Sequence, residues 1–378
     1  MNVEGMNILL KYKKTYKISF NKRNIFKKIN FLYLKLYFNL ILFCLLIYYF
    51  KSFKLKKNNN LETSFINEII NYNENINLDY DNNTFVIIKR GNCRNCGLFS
   101  DYIVFLGCIN KYINQGIIPI IDLKSYKNIF NGFKVNLSSE NPWEIFFNQP
   151  FGYSLNNVLM KGKKIQYYAC NSMTSPNYSI FFNKILMDFF HNLALKYIPV
   201  KIKILLESEL IRKNLFKKSK NVLGILMRGT DYISRKPRSH PIPPTTDIAI
   251  KDIREMDDKN NYDCFFISTE DDLIREIFIE QLGSKLKYYI YNKKINYNYK
   301  KKKLLAYNKN IKGNINFIKV YLLNMIILSK CIDIICAMTS GSLGVFIFTN
   351  GFRNSKVYNI GFYKRKNKFI SNINYQTI

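Results

Sequence analysis

The sequence predicts an α/β protein with parallel sheets, and three observations support this fold class. Short apolar runs rich in β-branched residues recur along the chain and are typical of buried parallel strands. They alternate with longer segments of helical periodicity, the order that produces strand–helix–strand units. Apolar residues make up 48% of the 378 positions, which is enough to form the cores of two domains of ordinary size.

The first strand–helix–strand unit begins near residue 84. Residues 84–89 predict a strand, residues 101–113 an apolar helix and residues 117–121 a second strand. The loop before the helix contains Gly91 and Gly97, either as turn residues or as a place where an anion or a sugar approaches the helix N-terminus. The loop lacks the GxGxxG spacing, so the sequence does not support a dinucleotide cofactor.

The middle of the chain is mostly helical by its pattern. Residues 179–205 predict long apolar helices, and the charged residues 206–220 predict a connection between two domains. His191 lies on one of these helices, and we interpret it as a core or surface residue rather than a catalyst. Trp143, the single tryptophan, lies in a predicted turn, where packing is favoured over contact with an acceptor.

The last third of the chain again alternates strands with helices. Strands are predicted at residues 222–227, 264–267, 287–291 and 332–337, and helices at residues 245–255, 273–282, 315–330 and 343–349. Residues 292–314 contain a run of lysines and predict a solvated loop.

Two of these predicted strands end in polar clusters. They are Arg228-Gly229-Thr230-Asp231 and Ser268-Thr269-Glu270-Asp271-Asp272. Ligands of open α/β sheets bind just beyond the carboxyl ends of the strands, so the clusters predict two walls of one site. The guanidinium of Arg228 matches phosphate oxygens, and Gly229 lets a ligand approach the backbone. An Arg228–Asp231 ion pair that caps the strand end is the alternative.

A third polar stretch, Thr339-Ser340-Gly341-Ser342, lies between the last predicted strand and the last predicted helix. Small hydroxyl residues and free amides at a helix N-terminus suit a phosphate group. A helix cap without a ligand is the alternative, and the two interpretations are compatible.

These three stretches resemble the donor-binding motifs of the GDP-fucose-dependent fucosyltransferase superfamily, which includes α-1,2-, α-1,6- and protein O-fucosyltransferases. In that family an apolar strand leads into His-x-Arg-Arg-Gly-Asp or Arg-Arg-Thr-Asp, where this chain has MRGTD at residues 227–231. The family's second motif is an apolar strand that ends in Ser/Thr-Asp/Glu-Asp, similar to residues 265–272, and its third is a small-residue motif, similar to residues 339–342. All three occur in the family order, and the family domain corresponds roughly to residues 84–378.

The resemblance implies a fold and a reaction. The fold is the GT-B architecture, with two Rossmann-like domains whose parallel sheets face a cleft: an acceptor-side domain at residues 84–210 and a donor-binding domain at residues 211–378. The reaction is that of an inverting glycosyltransferase, which transfers fucose from GDP-fucose to a glycan or protein acceptor. The expected partners are the nucleotide sugar and a glycan or glycoprotein acceptor, and no metal or other cofactor is expected.

The resemblance also implies roles for individual residues. Arg228 is expected to stabilise charge on the β-phosphate of the leaving nucleotide. The base comes from the residues themselves and not from the resemblance: His240 is the side chain near the motif that is expected to accept the acceptor's proton, with Asp231 and Glu270 as rival bases. Donor binding is assigned to Arg228, Gly229, Thr230, Ser268, Thr269, Glu270, Asp271, Thr339, Ser340, Gly341 and Ser342.

The chain departs from the family pattern in two ways. Met227 stands where the family usually has the first arginine of a pair, so one guanidinium is present. The acidic residue that some members place after the motif has no evident counterpart, and the loop carries Arg235, Lys236, Arg238 and His240 instead. A different nucleotide-sugar donor therefore stays open, as does a membrane-anchored binding protein that has lost the base.

The N-terminal region predicts a membrane anchor. Residues 1–30 are polar and basic, and residues 31–50 form an apolar stretch long enough to span a bilayer. Residues 51–83 are rich in Asn and Lys and predict a stem or linker. No small-residue cleavage site follows the apolar stretch, which favours a retained signal-anchor over a cleaved signal peptide.

The charges around the anchor predict a topology. More basic residues precede the apolar stretch than closely follow it, so we expect a single-pass type II membrane protein with its bulk across the membrane. In a eukaryote that side is the Golgi or ER lumen, and a bacterial membrane fits the same pattern.

The net charge of +32 does not by itself indicate a nucleic-acid partner. The basic residues are spread along the chain rather than grouped with aromatics, and no nucleic-acid-binding module is present in the sequence. Residues that AT-rich codons encode are abundant, which accounts for much of the excess. A basic domain also suits an anionic sugar nucleotide.

The eight cysteines do not form a metal motif. Cys93 and Cys96 are a single CxxC pair with no nearby histidine, so they predict a disulfide or two free thiols rather than a zinc site. The other cysteines in apolar patterns are predicted core residues: Cys108, Cys264, Cys331 and Cys336. The DxD sequence at residues 79–81 precedes the first predicted strand, and we interpret it as a coincidence rather than as a metal site.

Overall fold

Two parallel β-sheets organise the chain in the computed structural model, which describes residues 78–91, 96–131, 140–171, 175–290, 311 and 313–363. The described residues belong to one compact unit that spans residues 77–378. The predicted α/β fold with parallel sheets is therefore confirmed.

The first sheet has three parallel strands in the order β2–β1–β3. They are β1 Thr84–Arg90, β2 Ile118–Ile121 and β3 Lys164–Cys170. The central strand β1 is almost fully buried at residues 85–88, which explains its continuous apolar run. Helix α1, Leu98–Ile113, connects β1 to β2 and packs against this sheet.

The second sheet has five parallel strands in the order β6–β5–β4–β7–β8. They are β4 Val222–Leu226, β5 Cys264–Ser268, β6 Leu286–Tyr288, β7 Asp333–Ala337 and β8 Asn354–Tyr358. Leu226 of β4 pairs with Ser268 of β5 and with Cys336 of β7. The carboxyl ends of these three strands therefore lie level at one edge of the sheet.

Helices cover both sheets. Those after α1 are α2 Pro142–Phe146, α3 Leu155–Lys161, α4 Lys184–Tyr197, α5 Ile202–Phe216, α6 Thr230–Arg235, α7 Thr246–Asn260, α8 Asp272–Leu282, α9 Ile315–Leu328 and α10 Ser340–Phe348. Short 3₁₀ turns lie at Pro150–Gly152, Tyr178–Phe182 and Gly283–Lys285. Most of these helices begin at a Ser, Thr, Asn or Asp whose side chain accepts a hydrogen bond from an amide of the first turn, as Thr245 does for α7 and Asn314 for α9.

The last helix, α10, joins the two halves of the fold. It packs against α1 and α4 from the first half and against α9 from the second. A Cβ atom at Gly344 of α10 would lie 2.7 Å from Cγ of Phe99 in α1, so only glycine permits this approach. His191 of α4 also reaches α10, with its Nδ1 atom 2.7 Å from the carbonyl oxygen of Ile347.

Several predicted features differ from the structure. Residues 206–220, predicted as a charged connection, are largely helical, because α5 continues to Phe216 and packs on α9. The predicted domain boundary at residue 210 falls inside this helix. Strands β3 and β8 were not predicted from the sequence. Trp143 is 1% exposed and donates its indole hydrogen to the carbonyl oxygen of Asn148, which confirms that it is packed, although it lies in the short helix α2 rather than in a turn.

The cysteines include a disulfide that the sequence did not predict. Cys108 in the middle of α1 is bonded to Cys170 at the end of β3. Cys96 is also disulfide-bonded, whereas Cys93 lies outside the described residues. The predicted core cysteines Cys264, Cys331 and Cys336 are free and buried.

The predicted membrane anchor, residues 31–50, lies outside the described residues, as does nearly all of the predicted stem. Within the part of the chain that the structure describes, no helix combines the length and the apolar character needed to cross a bilayer.

Candidate functional site

The structure brings the three polar stretches together at one edge of the second sheet. Residues 228–231 follow β4, residues 269–271 follow β5 and residues 339–342 follow β7. Because β4 lies between β5 and β7 and the three strands end level, the stretches are neighbours in space. This edge is the place where open α/β sheets bind ligands.

Arg228 lies between two carboxylates. Its Nη2 atom is 3.2 Å from Oδ1 of Asp231, and its Nη1 atom is 3.2 Å from Oε1 of Glu270. Burial opposes a charge on the Arg228 guanidinium, but the two carboxylates outweigh burial and raise its pKa above the ordinary value. The ion pair that the sequence left as an alternative is therefore present. A guanidinium carries five N–H bonds and this side chain is 28% exposed, so it can also bind a ligand.

The two acidic residues after β5 hold the loop after β4 in place. Glu270 accepts hydrogen bonds from the amide of Gly229 at 2.9 Å and from the hydroxyl of Thr230 at 3.0 Å. Asp271 accepts one from the amide of Thr230 at 2.7 Å and also caps α8 through the amide of Leu273. The two loops are thus fastened to each other by hydrogen bonds to the carboxylates of Glu270 and Asp271.

The position of the Asp271 side chain requires a glycine at residue 229. A Cβ atom at Gly229 would lie 2.6 Å from Cβ of Asp271, closer than packed atoms can approach. The sequence predicted that a ligand approaches the backbone at Gly229, whereas here the Asp271 side chain occupies that space.

Thr230 has a strained backbone. Its φ angle is +44°, a left-handed value that β-branched residues rarely adopt. The residue is 0% exposed, and its amide and hydroxyl both bond to the carboxylates of the loop after β5. Strain of this kind persists only where surrounding contacts hold it, and it concentrates at functional sites.

The stretch after β7 forms the beginning of α10. The hydroxyl oxygen of Thr339 accepts a hydrogen bond from the amide of Ser342 at 3.2 Å, as in a helix cap. Ser342 is 0% exposed and donates its own hydroxyl to the carbonyl oxygen of Ala337. The amides of Ser340 and Gly341 make no hydrogen bond to the described part of the chain, so they are available to an anion.

Tyr321 of α9 lies against the beginning of α10 and is close enough to Arg228 for their charges to interact, and sequence reasoning missed it. Its hydroxyl oxygen lies 2.5 Å from the position that a Cβ atom at Gly341 would take. Burial raises its pKa, and the charges of Arg228 and Glu270 also act on its hydroxyl. An aromatic residue in a predicted apolar helix gives no sequence signal of such a role.

His240 lies on a loop that pairs with the chain after β8. The amide of Ile242 donates to the carbonyl oxygen of Gly361, and the amide of Tyr363 donates to that of His240. The His240 ring is exposed and stands 5.3 Å from the ring of Tyr232, edge to face. The Tyr232 ring in turn lies 4.7 Å from the guanidinium carbon of Arg228. One aromatic ring therefore separates His240 from Arg228.

The predicted site residues fall into two groups by exposure. Those with side chains accessible to a ligand are Arg228, His240, Thr269, Glu270 and Ser340. The buried ones, which hold the loops in place, are Gly229, Thr230, Asp231, Ser268, Asp271, Thr339, Gly341 and Ser342. The individual roles in catalysis and donor binding stay predictions.

The described residues contain no group of three or more His, Cys, Asp or Glu side chains arranged to hold a metal ion. Asp79 of the DxD sequence accepts hydrogen bonds from the amides of Asp81 and Asn82, so its carboxylate stabilises a turn.

Comparison with known proteins gives structural neighbours alone. No family model matches the sequence, and no curated protein does. The chain is similar to NodZ α-1,6-fucosyltransferase soaked with GDP-fucose, at 11% identity and a TM-score of 0.42 over 74% of this chain and 96% of that one. It is also similar to the fucosyltransferase NodZ from Bradyrhizobium, at 11% identity and a TM-score of 0.41 over 74% and 95%. A third similar structure is POFUT1 in complex with GDP, at 8% identity and a TM-score of 0.43 over 74% and 99%.

Proposed function

We propose that this chain is a membrane-anchored inverting glycosyltransferase that transfers fucose from GDP-fucose to a glycan or protein acceptor. One observation carries the proposal. A partly exposed guanidinium stands at the carboxyl edge of a parallel sheet, beside the open N-terminus of α10, where sequence motifs resemble those of fucosyltransferases. These groups suit the diphosphate of an activated sugar.

The reaction is a displacement at the anomeric carbon of the sugar. The acceptor oxygen forms a bond to that carbon while the bond from the carbon to the β-phosphate oxygen breaks, and the configuration inverts. Negative charge develops on the leaving diphosphate. Arg228 and the amides of Ser340 and Gly341 stabilise this charge, because fixed donors aimed at a developing anion lower the barrier.

The acceptor hydroxyl must lose a proton, and His240 is the proposed base. Asp231 is 8% exposed at its side chain and already contacts Arg228 and the Thr230 hydroxyl. Glu270 accepts hydrogen bonds from Gly229 and Thr230 and contacts Arg228. His240 is exposed and lies one ring away from Arg228, so an acceptor can reach it.

The local charge has to be balanced for a diphosphate to bind. The formal charges of Arg228, Asp231 and Glu270 add up to one negative charge. The end of α6 and the loop that carries His240 add exposed basic residues, namely Arg235, Lys236 and Arg238, which make the entrance more favourable for an anion. Thr269 and Glu270 are the accessible polar side chains that suit hydroxyl groups of the donor.

The proposed location is a lumen that the chain reaches as a type II membrane protein. The Cys108–Cys170 disulfide supports this, because disulfides persist in oxidising compartments. The basic tail and the apolar stretch at residues 31–50 support the anchor.

The proposal is tested with the full chain in detergent. Binding of GDP, UDP, GDP-fucose and GDP-mannose is measured by calorimetry, and GDP release is measured with a panel of glycan and peptide acceptors. We expect GDP-fucose to bind and acceptors to accelerate GDP release. Arg228→Lys keeps the charge but loses the planar fork, so GDP affinity should fall about tenfold or more.

The matched control is Arg254→Lys, an exposed arginine of α7 that contacts Gln281. It should leave GDP affinity unchanged. Tight binding of GDP-mannose or a UDP-sugar in place of GDP-fucose would assign another donor, and GDP-fucose binding without transfer to any acceptor would point to the non-catalytic alternative. No binding of any nucleotide would refute the proposal.

A further inference from the structure

The hydroxyl of Tyr321 lies over the backbone at the start of α10. Its oxygen is 2.5 Å, and its Cζ atom 3.7 Å, from the place where a Cβ atom at Gly341 would be. The absence of a side chain at Gly341 is what gives the hydroxyl this position. The same turn carries the amides of Ser340 and Gly341 that have no partner in the described chain.

The same hydroxyl is close enough to Arg228 for their charges to interact. The charge of Arg228 favours ionisation of the phenol and that of Glu270 opposes it, while burial raises the pKa most strongly. The phenol is therefore a protonated donor across the physiological range. It makes no hydrogen bond to the described residues, although it lies beside the α10 turn and within range of the charge of Arg228.

The ring of Tyr321 is held in one orientation. The Phe99 ring of α1 packs edge to face against it, with 5.7 Å between ring centroids. Phe99 is itself 1% exposed and fills the space above Gly344 of α10. A donor whose direction is set by packing in advance loses little entropy when it binds a ligand.

The geometry points to Tyr321 as a further ligand-binding residue, whose hydroxyl donates a hydrogen bond to a phosphate oxygen of the sugar nucleotide between Arg228 and the α10 turn. This inference rests on the proposed function and names a contact that the sequence motifs do not contain.

The charge of the site explains why a neutral donor is needed there. Met227 is 1% exposed and packs in the apolar core, so it does not reach the ligand edge. Arg228 therefore supplies the single guanidinium of the motif. This guanidinium also forms ion pairs with Asp231 and Glu270. A phenol adds a strong donor to the diphosphate without the cost of burying another charge.

The test is Tyr321→Phe in the full chain in detergent, which removes the hydroxyl and keeps the ring against Phe99. Affinities for GDP and for guanosine are measured by calorimetry, together with the thermal midpoint. We expect GDP affinity to fall about tenfold, since hydrogen bonds to charged groups are the stronger ones, while guanosine affinity and the midpoint stay unchanged. The matched control is Tyr167→Phe, a 65% exposed tyrosine on β3, which should alter none of the three.

Three outcomes overturn the inference. GDP affinity within twofold of the wild type means that the hydroxyl does not reach the phosphates. An equal loss for GDP and guanosine means that Tyr321 only shapes the fold. If the wild-type chain binds no GDP, the proposed function is refuted as well. The wild-type measurement alone separates this outcome from the first two.

Discussion

Replacing Gly229 by alanine tests whether its lack of a side chain serves the fold or a ligand. The new Cβ atom would lie 2.6 Å from Cβ of Asp271, so the Asp271 side chain has to move. That movement breaks its 2.7 Å bond to the amide of Thr230 and its cap on α8. A lost cap costs about 1 kcal/mol, and a buried amide without a partner costs about 1–3 kcal/mol. We therefore expect Gly229→Ala to lower the free energy of unfolding by about 2–4 kcal/mol.

Urea unfolding followed by circular dichroism measures this change. Gly97→Ala is the control, because a Cβ atom there meets nothing within 4 Å, and its midpoint should stay near the wild-type value. If Gly229 instead exists to let a ligand approach the backbone, Gly229→Ala will unfold at the wild-type urea concentration and lose only GDP affinity. That result would refute the assignment of this space to Asp271.

Three further predictions concern catalysis, pH and the disulfide. His240→Ala should abolish transfer and preserve GDP affinity, whereas His191→Ala, on α4, should preserve transfer; retained transfer in His240→Ala excludes it as the base. Burial raises the pKa of Asp101 to about 8 despite the nearby Arg90, and the unfolded value is about 3.9, so its contribution to stability is present below pH 4 and is lost as pH rises through 8. Asp101→Asn should therefore reduce the fall of the urea midpoint between pH 5 and pH 8. A midpoint that falls as steeply with pH as in the wild type contradicts a raised pKa of Asp101. Replacing both Cys108 and Cys170 by alanine removes a bond that closes a loop with a sequence separation of 62. The free energy of unfolding, measured with urea, should fall by about 4 kcal/mol, and a fall below about 1 kcal/mol contradicts a stabilising bond.

The sequence predicts the buried strands and the edge strands β2 and β6, but it misses the edge strands β3 and β8. Strand β4 is buried at every position and appears in the sequence as an unbroken apolar run. The edge strands β3 and β8 carry polar and half-exposed residues, so no apolar run marks them. Their pairing with β1 and β7 comes from contacts that are remote in the chain.

The same reasoning explains what could be predicted of the site. The order of motifs and their positions after strands were sufficient to predict that Arg228, Glu270 and Ser340 lie at one edge, because parallel strands end together. The sequence could not show that Glu270 and Asp271 bond to the amides of the other loop, since that depends on the spacing of two strands. It could not indicate Tyr321, whose position beside Gly341 depends on how α9 is rotated against α10.

The arrangement around Arg228 gives a physical reason for a site with one guanidinium. Two carboxylates already raise its pKa and fix its plane, so its charge is permanent and is exceeded by that of its two partners. A second buried cation would bring its own cost of desolvation, whereas amides of Ser340 and Gly341 and the phenol of Tyr321 are neutral donors that the fold holds in position. Neutral fixed donors bind a ground-state diphosphate modestly and a charge that grows during bond cleavage more strongly. Under the proposed function, these donors favour the step in which charge builds up on the leaving phosphate.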